Sequence, residues 1–157
     1  MSAITTTGWP FSTFHHVNVL VDDLPATEKF LGQIGIPIFD YPWRDGWTEI
    51  TTDPEVFKEL GYKRALIGNT HFQFMGAGPS ESGHKDFIKK FSKRVFSVGF
   101  LVSNVDAAEK ELIGRGLKVL KKGRRSDGFG YTYFDTFDRL GINICLRQNA
   151  NDMINGP

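Results

Sequence analysis

The chain has 157 residues, 40% of them hydrophobic and 24% charged, with a formal net charge of +1, 14 Phe and a single Cys. One Cys excludes an internal disulfide framework, a zinc ribbon and a CxxC redox pair, and the near-neutral charge lacks the footprint of a dedicated nucleic-acid binder. No apolar run approaches the ~20 residues that cross a bilayer, and residues 1–16 carry no basic leader with an apolar stretch, so the expectation is a cytoplasmic protein without membrane or nucleic-acid partners.

In chain order, residues 14–21 form a β-rich run ending at Asp22-Asp23. Asp23 is placed to cap a helix with Pro25 in its first turn, Phe30, Leu31 and Ile34 as its apolar stripe, and Gly35 as a left-handed stop. Strands are expected over 36–42, 63–68 and 70–76. Between the first two, Asp53-Pro54-Glu55 leading to Gly61 reads as an inserted helix burying Phe57 and Leu60. Residues 80–94 read as a solvated linker, with a short basic helix over 84–91 resting on Phe87, Ile88 and Phe91. A strand over 96–102 follows, then a helix capped by Asn104, carrying Ala108, Leu112 and Ile113 and stopped by Gly116. Strands over 118–122, 130–135 and 141–148 complete the set. KKGRR at 121–125 reads as a solvated basic turn, Gly128-Phe129-Gly130 as a flexible turn over a cleft, and 149–157 as a frayed tail.

The chain repeats itself. Residues 16–39 (HVNVLVDDLPATEKFLGQIGIPIF) align with 97–120 (SVGFLVSNVDAAEKELIGRGLKVL) at an offset of 81, with eight of 24 positions identical. Average composition gives about one or two by chance. The expected fold class is therefore α+β. Two βαβββ modules, 14–79 and 95–148, are joined by a linker at 80–94, followed by a tail at 149–157. They form a curved, mostly antiparallel sheet with a cleft and with helices on the outer face.

Strand alternation sorts the side chains onto two faces. One holds Val17, Val19, Val21, Phe72, Phe74, Val98, Phe100, Val102, Ile142, Ile144 and Leu146, and it absorbs much of the Phe excess. The other holds His16, Asn18, His71, Gln73, Met75, Ser97, Gly99, Asn143, Cys145 and Arg147, joined by Tyr131, Tyr133 and Asp135 if Phe134 is buried. Such a face either meets water as half of an antiparallel sheet or, being rich in His, Tyr, amides and a thiol, lines a polar cleft that handles protons or metals.

Two modules opening FHHVNVLVDDLPATEKF and VFSVGFLVSNVDAAEKEL resemble the vicinal oxygen chelate superfamily over about residues 14–148, with GINICLRQ most similar to the last strand of methylmalonyl-CoA epimerases. Metal-using members of that superfamily take one ligand from the first and last strand of each module. The resemblance maps those positions to His16, Gln73, Ser97 and Cys145. His16 and Gln73 match the epimerase pattern; Ser97 replaces a His, and Cys145 replaces a Glu that also moves the proton. The resemblance also implies a homodimer.

Three readings follow. The first is a metal-independent isomerase or lyase acting on a small oxygenated metabolite. In it His16, Tyr133 and Asp135 are catalytic, and His71, Gln73, Tyr131, Asn143, Cys145 and Arg147 bind substrate, with no cofactor. The second keeps a divalent metal on His16 and Gln73, completed by substrate, water or the Cys145 thiolate. The third is a non-catalytic small-molecule binder in which Trp43, Trp47 and Phe129 stack on a planar ligand. Glu49 is a further carboxylate whose register the sequence leaves open.

Overall fold

Each repeated strand hands the chain to a helix through the cap its sequence supplies. Asp23 accepts from the Ala26 amide at 2.8 Å and Asn104 from the Ala107 amide at 2.9 Å. After each helix the chain turns at a left-handed glycine, Gly35 at φ +80° and Gly116 at φ +92°. A computed structural model describes residue 11 and residues 13–40, 45–52, 61–77, 83–92 and 94–148. Trp43, the helix expected over 53–60 with Phe57 and Leu60, and the tail at 149–157 lie outside the described residues.

The elements are β1 (Thr13–Leu20), α1 (Leu24–Gln33), β2 (Ile38–Asp40), β3 (Trp47–Ile50), β4 (Tyr62–Ile67), β5 (Thr70–Met75), α2 (Gly83–Phe91), β6 (Arg94–Leu101), α3 (Val105–Gly114), β7 (Val119–Arg125), β8 (Gly130–Phe134), the single turn α4 (Phe137–Leu140) and β9 (Asn143–Gln148). They build one nine-stranded sheet in the order β2-β4-β5-β1-β6-β9-β8-β7-β3. β1–β5 and β6–β9 run parallel; every other pair is antiparallel. At the centre Val17 faces Val98, His16 faces Gly99 and Asn18 faces Ser97. Because 16/97, 17/98 and 18/99 are equivalents in the repeat, a local two-fold axis passes beside Val17 and Val98.

The sheet has to curl. β2 and β3 hold its opposite edges, yet only seven residue steps separate Asp40 from Trp47, a reach of ~25 Å at full extension. A flat sheet of nine strands would hold those edges ~38 Å apart. The convex side carries two apolar clusters, Val21, Leu31, Ala65 and Phe74 beneath α1, and Val105, Ala108, Leu112, Phe134 and Leu146 beneath α3. The third cluster, including Leu20, Met75, Phe96, Tyr131, Tyr133 and Cys145, lies on the concave side, with Phe87 and Ile88 of α2 packed against it. Among the described residues no helix is long and apolar enough to cross a membrane.

Several local expectations change. Phe30, Ile34 and Ile113 are 58%, 55% and 48% exposed, so each helix buries a narrower stripe centred on Leu31 or Leu112. The basic run at 121–125 is strand β7, because each face offers its cations a partner. Lys122 and Arg124 reach outward to Glu109 of α3 at 3.3 and 2.7 Å, and Arg125 pairs with Asp127 at 2.7 Å. The turn after it is pinned, not loose. Asp127 accepts from the Phe129 amide at 3.0 Å, the Arg125 guanidinium lies 4.4 Å from the Phe129 ring centre, and Phe129 is buried. The expected helix in the linker is present as α2 and rests on Phe87 and Ile88, and it covers the concave side, where Phe87 meets Phe96 edge-on at 5.1 Å.

Candidate functional site

The concave polar face begins with a break in β1. Its register against β6 shifts between Phe14 and His16, so two residues of β1 oppose Gly99. This bulge turns His15 inward beside His16, where strict alternation would have sent it out. The two Nδ1 atoms are 2.7 Å apart, and the His15 ring stacks on His71 at 5.8 Å. Sequence reasoning missed His15. Its only signal was the His15-His16 pair facing a glycine. Gly99 is essential to the arrangement, because a Cβ there would overlap Cε1 and Nδ1 of His16, so the imidazole lies on bare backbone.

Next to His16, the Asn18 amide nitrogen donates to Ser97 Oγ at 2.7 Å and Tyr133 Oη at 3.1 Å and lies 2.9 Å from His16 Nε2. Three acceptors share two N–H hydrogens, so one always retains a lone pair for another donor. Arg147 donates from one guanidinium nitrogen to Gln73 Oε1 at 2.9 Å and to Tyr133 Oη at 3.2 Å. The strand pairings hold this geometry: Asn18 faces Gln73 across β1–β5, Tyr133 faces Cys145 across β8–β9, and Gly99 faces Cys145 across β6–β9. His16, Asn18, Ser97 and Cys145 are fully buried, and Gln73, Tyr133 and Arg147 nearly so. These side chains form a buried polar layer in the hollow of the sheet.

Burial governs its protonation. It drives His16 well below the usual histidine value, with Arg147, His15 and His71 pushing the same way, and it brings His15 down to about 3 with help from Arg147 and His71. The Cys145 thiol is pushed up by burial against the pull of Arg147, and Tyr133 is likewise raised. At neutral pH the layer therefore contains neutral imidazoles, thiol and phenols around the Arg147 guanidinium.

The structure brings together His16, Gln73, Tyr133, Cys145 and Arg147, with His71 attached through His15. It does not bring Asp135 there. β8 ends at Phe134, the Asp135 amide bonds Lys118 O at 2.9 Å, and the exposed carboxylate lies in an outer groove. Asn143 also lines that groove, and its Oδ1 accepts from the Thr136 amide at 3.3 Å. Tyr131 packs edge-on against Trp47 at 5.8 Å, and its hydroxyl makes no hydrogen bond among the described residues. Trp47 and Phe129 pack against each other at 6.0 Å instead of framing an open mouth. Glu49 points away, to Lys122 at 2.8 Å.

The outer groove, about 390 Å³, lies between α2, the strand β7 and the turn α4. Lys121, His84, Phe96, Phe137, Asp135 and Asn143 are among its walls. Lys121 Nζ is 2.6 Å from His84 Nε2 and lies 4.5 Å from the Tyr133 ring centre, so the groove and the buried layer share a wall.

No family model and no curated protein sequence matches the chain. Solved structures do. A methylmalonyl-CoA epimerase of Mycobacterium tuberculosis is 16% identical with a TM-score of 0.66, covering 94% of this chain and 93% of its own. A Streptomyces coelicolor methylmalonyl-CoA epimerase variant in complex with 2-nitronate-propionyl-CoA is 20% identical with a TM-score of 0.67, covering 89% and 99%. A hypothetical protein of Bacillus halodurans is 12% identical with a TM-score of 0.63, covering 87% and 94%. The chain shares the fold of these epimerases.

Proposed function

We propose that the chain is a metal-independent isomerase or lyase that moves a proton at a carbon beside the carbonyl or carboxylate of a small oxygenated metabolite. One observation carries this reading: the Arg147 guanidinium is hydrogen-bonded to Gln73 Oε1, among the positions through which metal-using relatives hold their ion. The residues present do not fit a divalent cation. Gln73 Oε1 accepts from Arg147, Ser97 Oγ accepts from Asn18, and Cys145 is held as the thiol. No three His, Cys, Asp or Glu groups converge to hold a metal among the described residues, and the buried polar ones include no Asp or Glu. An ion placed there would meet a fixed positive charge without the anionic donor that stable sites use.

In this reading Arg147 holds the oxygen on which negative charge develops. Tyr133, kept protonated by burial, donates a hydrogen bond to the same oxygen. His16 takes the proton through Nε2. Arg147 is among the causes that lower the His16 pKa, so an anionic oxygen bound to Arg147 offsets that influence and makes His16 a stronger base at the moment it is needed. The neutral Cys145 thiol cannot do the work of the carboxylate at its position in the epimerases, which argues against methylmalonyl-CoA itself as substrate. Entry requires the cover formed by α2, Trp47 and Phe129 to part.

The test is hydrogen–deuterium exchange at carbon, followed by NMR in D2O containing EDTA, over a panel of 2-oxo acids, 2-hydroxy acids and acyl-CoA thioesters that includes methylmalonyl-CoA. Exchange into one compound that survives EDTA and falls at least ~100-fold in Arg147→Met and His16→Asn is expected. Exchange abolished by EDTA and restored by a divalent ion would overturn the metal-independent reading. A compound bound tightly but recovered without exchange would replace it with sequestration.

A further inference from the structure

The outer groove contains a pair of side chains that the proton-transfer reading does not use. Lys121 leaves β7 on the concave side, and its Nζ lies 2.6 Å from His84 Nε2 on α2. Two aromatic faces enclose it, Tyr133 at 4.5 Å and Phe96 at 5.2 Å from their ring centres. Both Lys121 and His84 line the groove. A primary amine within hydrogen-bond reach of an imidazole, at the wall of a cavity large enough for a small organic molecule, is the arrangement that nucleophilic amine chemistry needs.

We propose that Lys121 and His84 form a second reactive centre, in which the Lys121 amine condenses with the carbonyl of an aldehyde or ketone carried on an apolar or aromatic body. The amine nitrogen bonds to the carbonyl carbon, and the carbon–oxygen bond breaks in the following step. Both amine hydrogens leave with that oxygen as water, relayed by His84, and an imine remains. No oxidant or reductant is required.

The surroundings favour this chemistry. Burial lowers the Lys121 pKa to about 7, with a smaller push from Arg147 and an opposing pull from Cys145. A large fraction of the amine is therefore unprotonated and nucleophilic at neutral pH. Burial and the neighbouring Lys121 hold His84 well below its usual value, with a counteracting effect from the Gly76 carbonyl, so its ring is a neutral proton relay. The other titratable and charged groups around the groove are Lys90 of α2, Asp135 after β8 and Asp138 of α4, together with Tyr133 of β8 and Cys145 and Arg147 of β9 on the shared wall. The aspartates disfavour a carboxylate near them, while Phe87, Phe91, Phe96 and Phe137 offer an apolar bed. An uncharged aromatic or aliphatic carbonyl compound matches both features.

This centre stands apart from the reading of Arg147, since it can be probed without turnover of any substrate. The intact protein is incubated at pH 7 with benzaldehyde and cyanoborohydride, and benzyl adducts are mapped by peptide mass spectrometry over time. An exposed lysine with a pKa near 10.4 is almost wholly protonated at pH 7, so even after discounting for the weaker nucleophilicity of a less basic amine, Lys121 should be labelled at least ~10-fold faster than exposed Lys110. Lys121→Arg should lose that adduct, and His84→Asn should slow it several-fold. Adducts spread over exposed lysines with Lys121 unmodified would overturn the proposal. That wild-type map decides the matter even if a variant fails to fold. Labelling of Lys121 at an unchanged rate in His84→Asn would overturn the relay.

Discussion

Gly99→Ala tests the arrangement at the centre of the sheet. Residue 99 has ordinary strand backbone, so alanine carries no intrinsic conformational penalty there and would gain slightly in chain entropy. The cost is steric: a methyl group would occupy the space of the His16 ring, which is fully buried and confined by Asn18 and His15. Forcing the ring aside resembles overpacking, about 1–3 kcal/mol, and losing its hydrogen bond to Asn18 adds about 1 kcal/mol. The expected loss of ~3 kcal/mol corresponds to a fall in Tm of roughly 6–12 °C for a chain of this size. Because folding stability alone would not identify the cause, the decisive experiment is a double-mutant cycle by urea denaturation. His16→Ala should itself cost several kcal/mol, but it vacates the space, so adding Gly99→Ala should then cost under ~0.5 kcal/mol. If the two losses simply add, the His16 ring does not lie over Gly99, and the description of the site fails at its centre.

Acid should destabilise the protein early. His15, His16 and His84 have folded-state pKa values lowered mainly by burial. The unfolded chain therefore takes up protons below pH ~6.5 that the folded chain refuses, and the associated stability, present above that pH, is lost as the pH falls toward the folded values. From pH 7 to 5 the loss is about 2 kcal/mol for His15, whose folded value is about 3, and His16 and His84 add to it in the same direction; a urea midpoint that does not move across that range would refute it. Cys145, buried with its thiol pKa raised, should resist Ellman's reagent in the native protein and release one equivalent in denaturant, whereas rapid native reaction would place it at an open surface.

The fold could be read because duplication prints the same physical pattern twice. Asp23 and Asn104 cap, Gly35 and Gly116 stop, and the apolar members of the central strands pack against α1 and α3 as period-two alternation requires. Where the reading failed, a tertiary partner decided. The basic run at 121–125 is charged enough to pass for a turn until Glu109 and Asp127 supply partners for its two faces. β3 pairs with β7 from the far edge of the sheet, a contact that no local signal announces. His15 was lost because one bulged residue breaks the alternation on which the assignment of faces depends.

The candidate site was legible as a set of residues but not as an electrostatic object. Alternation placed His16, Gln73, Cys145 and Arg147 on one face, and from composition alone that face could be a wet surface, a cleft or a metal site. What separates these is the dielectric environment, and that depends on how the sheet curls and on what α2, Trp47 and Phe129 cover. Once covered, the same residues change character: imidazoles that would titrate near neutrality stay neutral, the thiol stays protonated, and Lys121 becomes a nucleophilic amine. The Arg147 guanidinium stays charged in any such setting. On the proposed reading, a layer that keeps its imidazoles neutral around a fixed guanidinium favours an incoming oxyanion over an incoming metal cation, and the neutral Cys145 thiol leaves the Arg147 charge uncompensated.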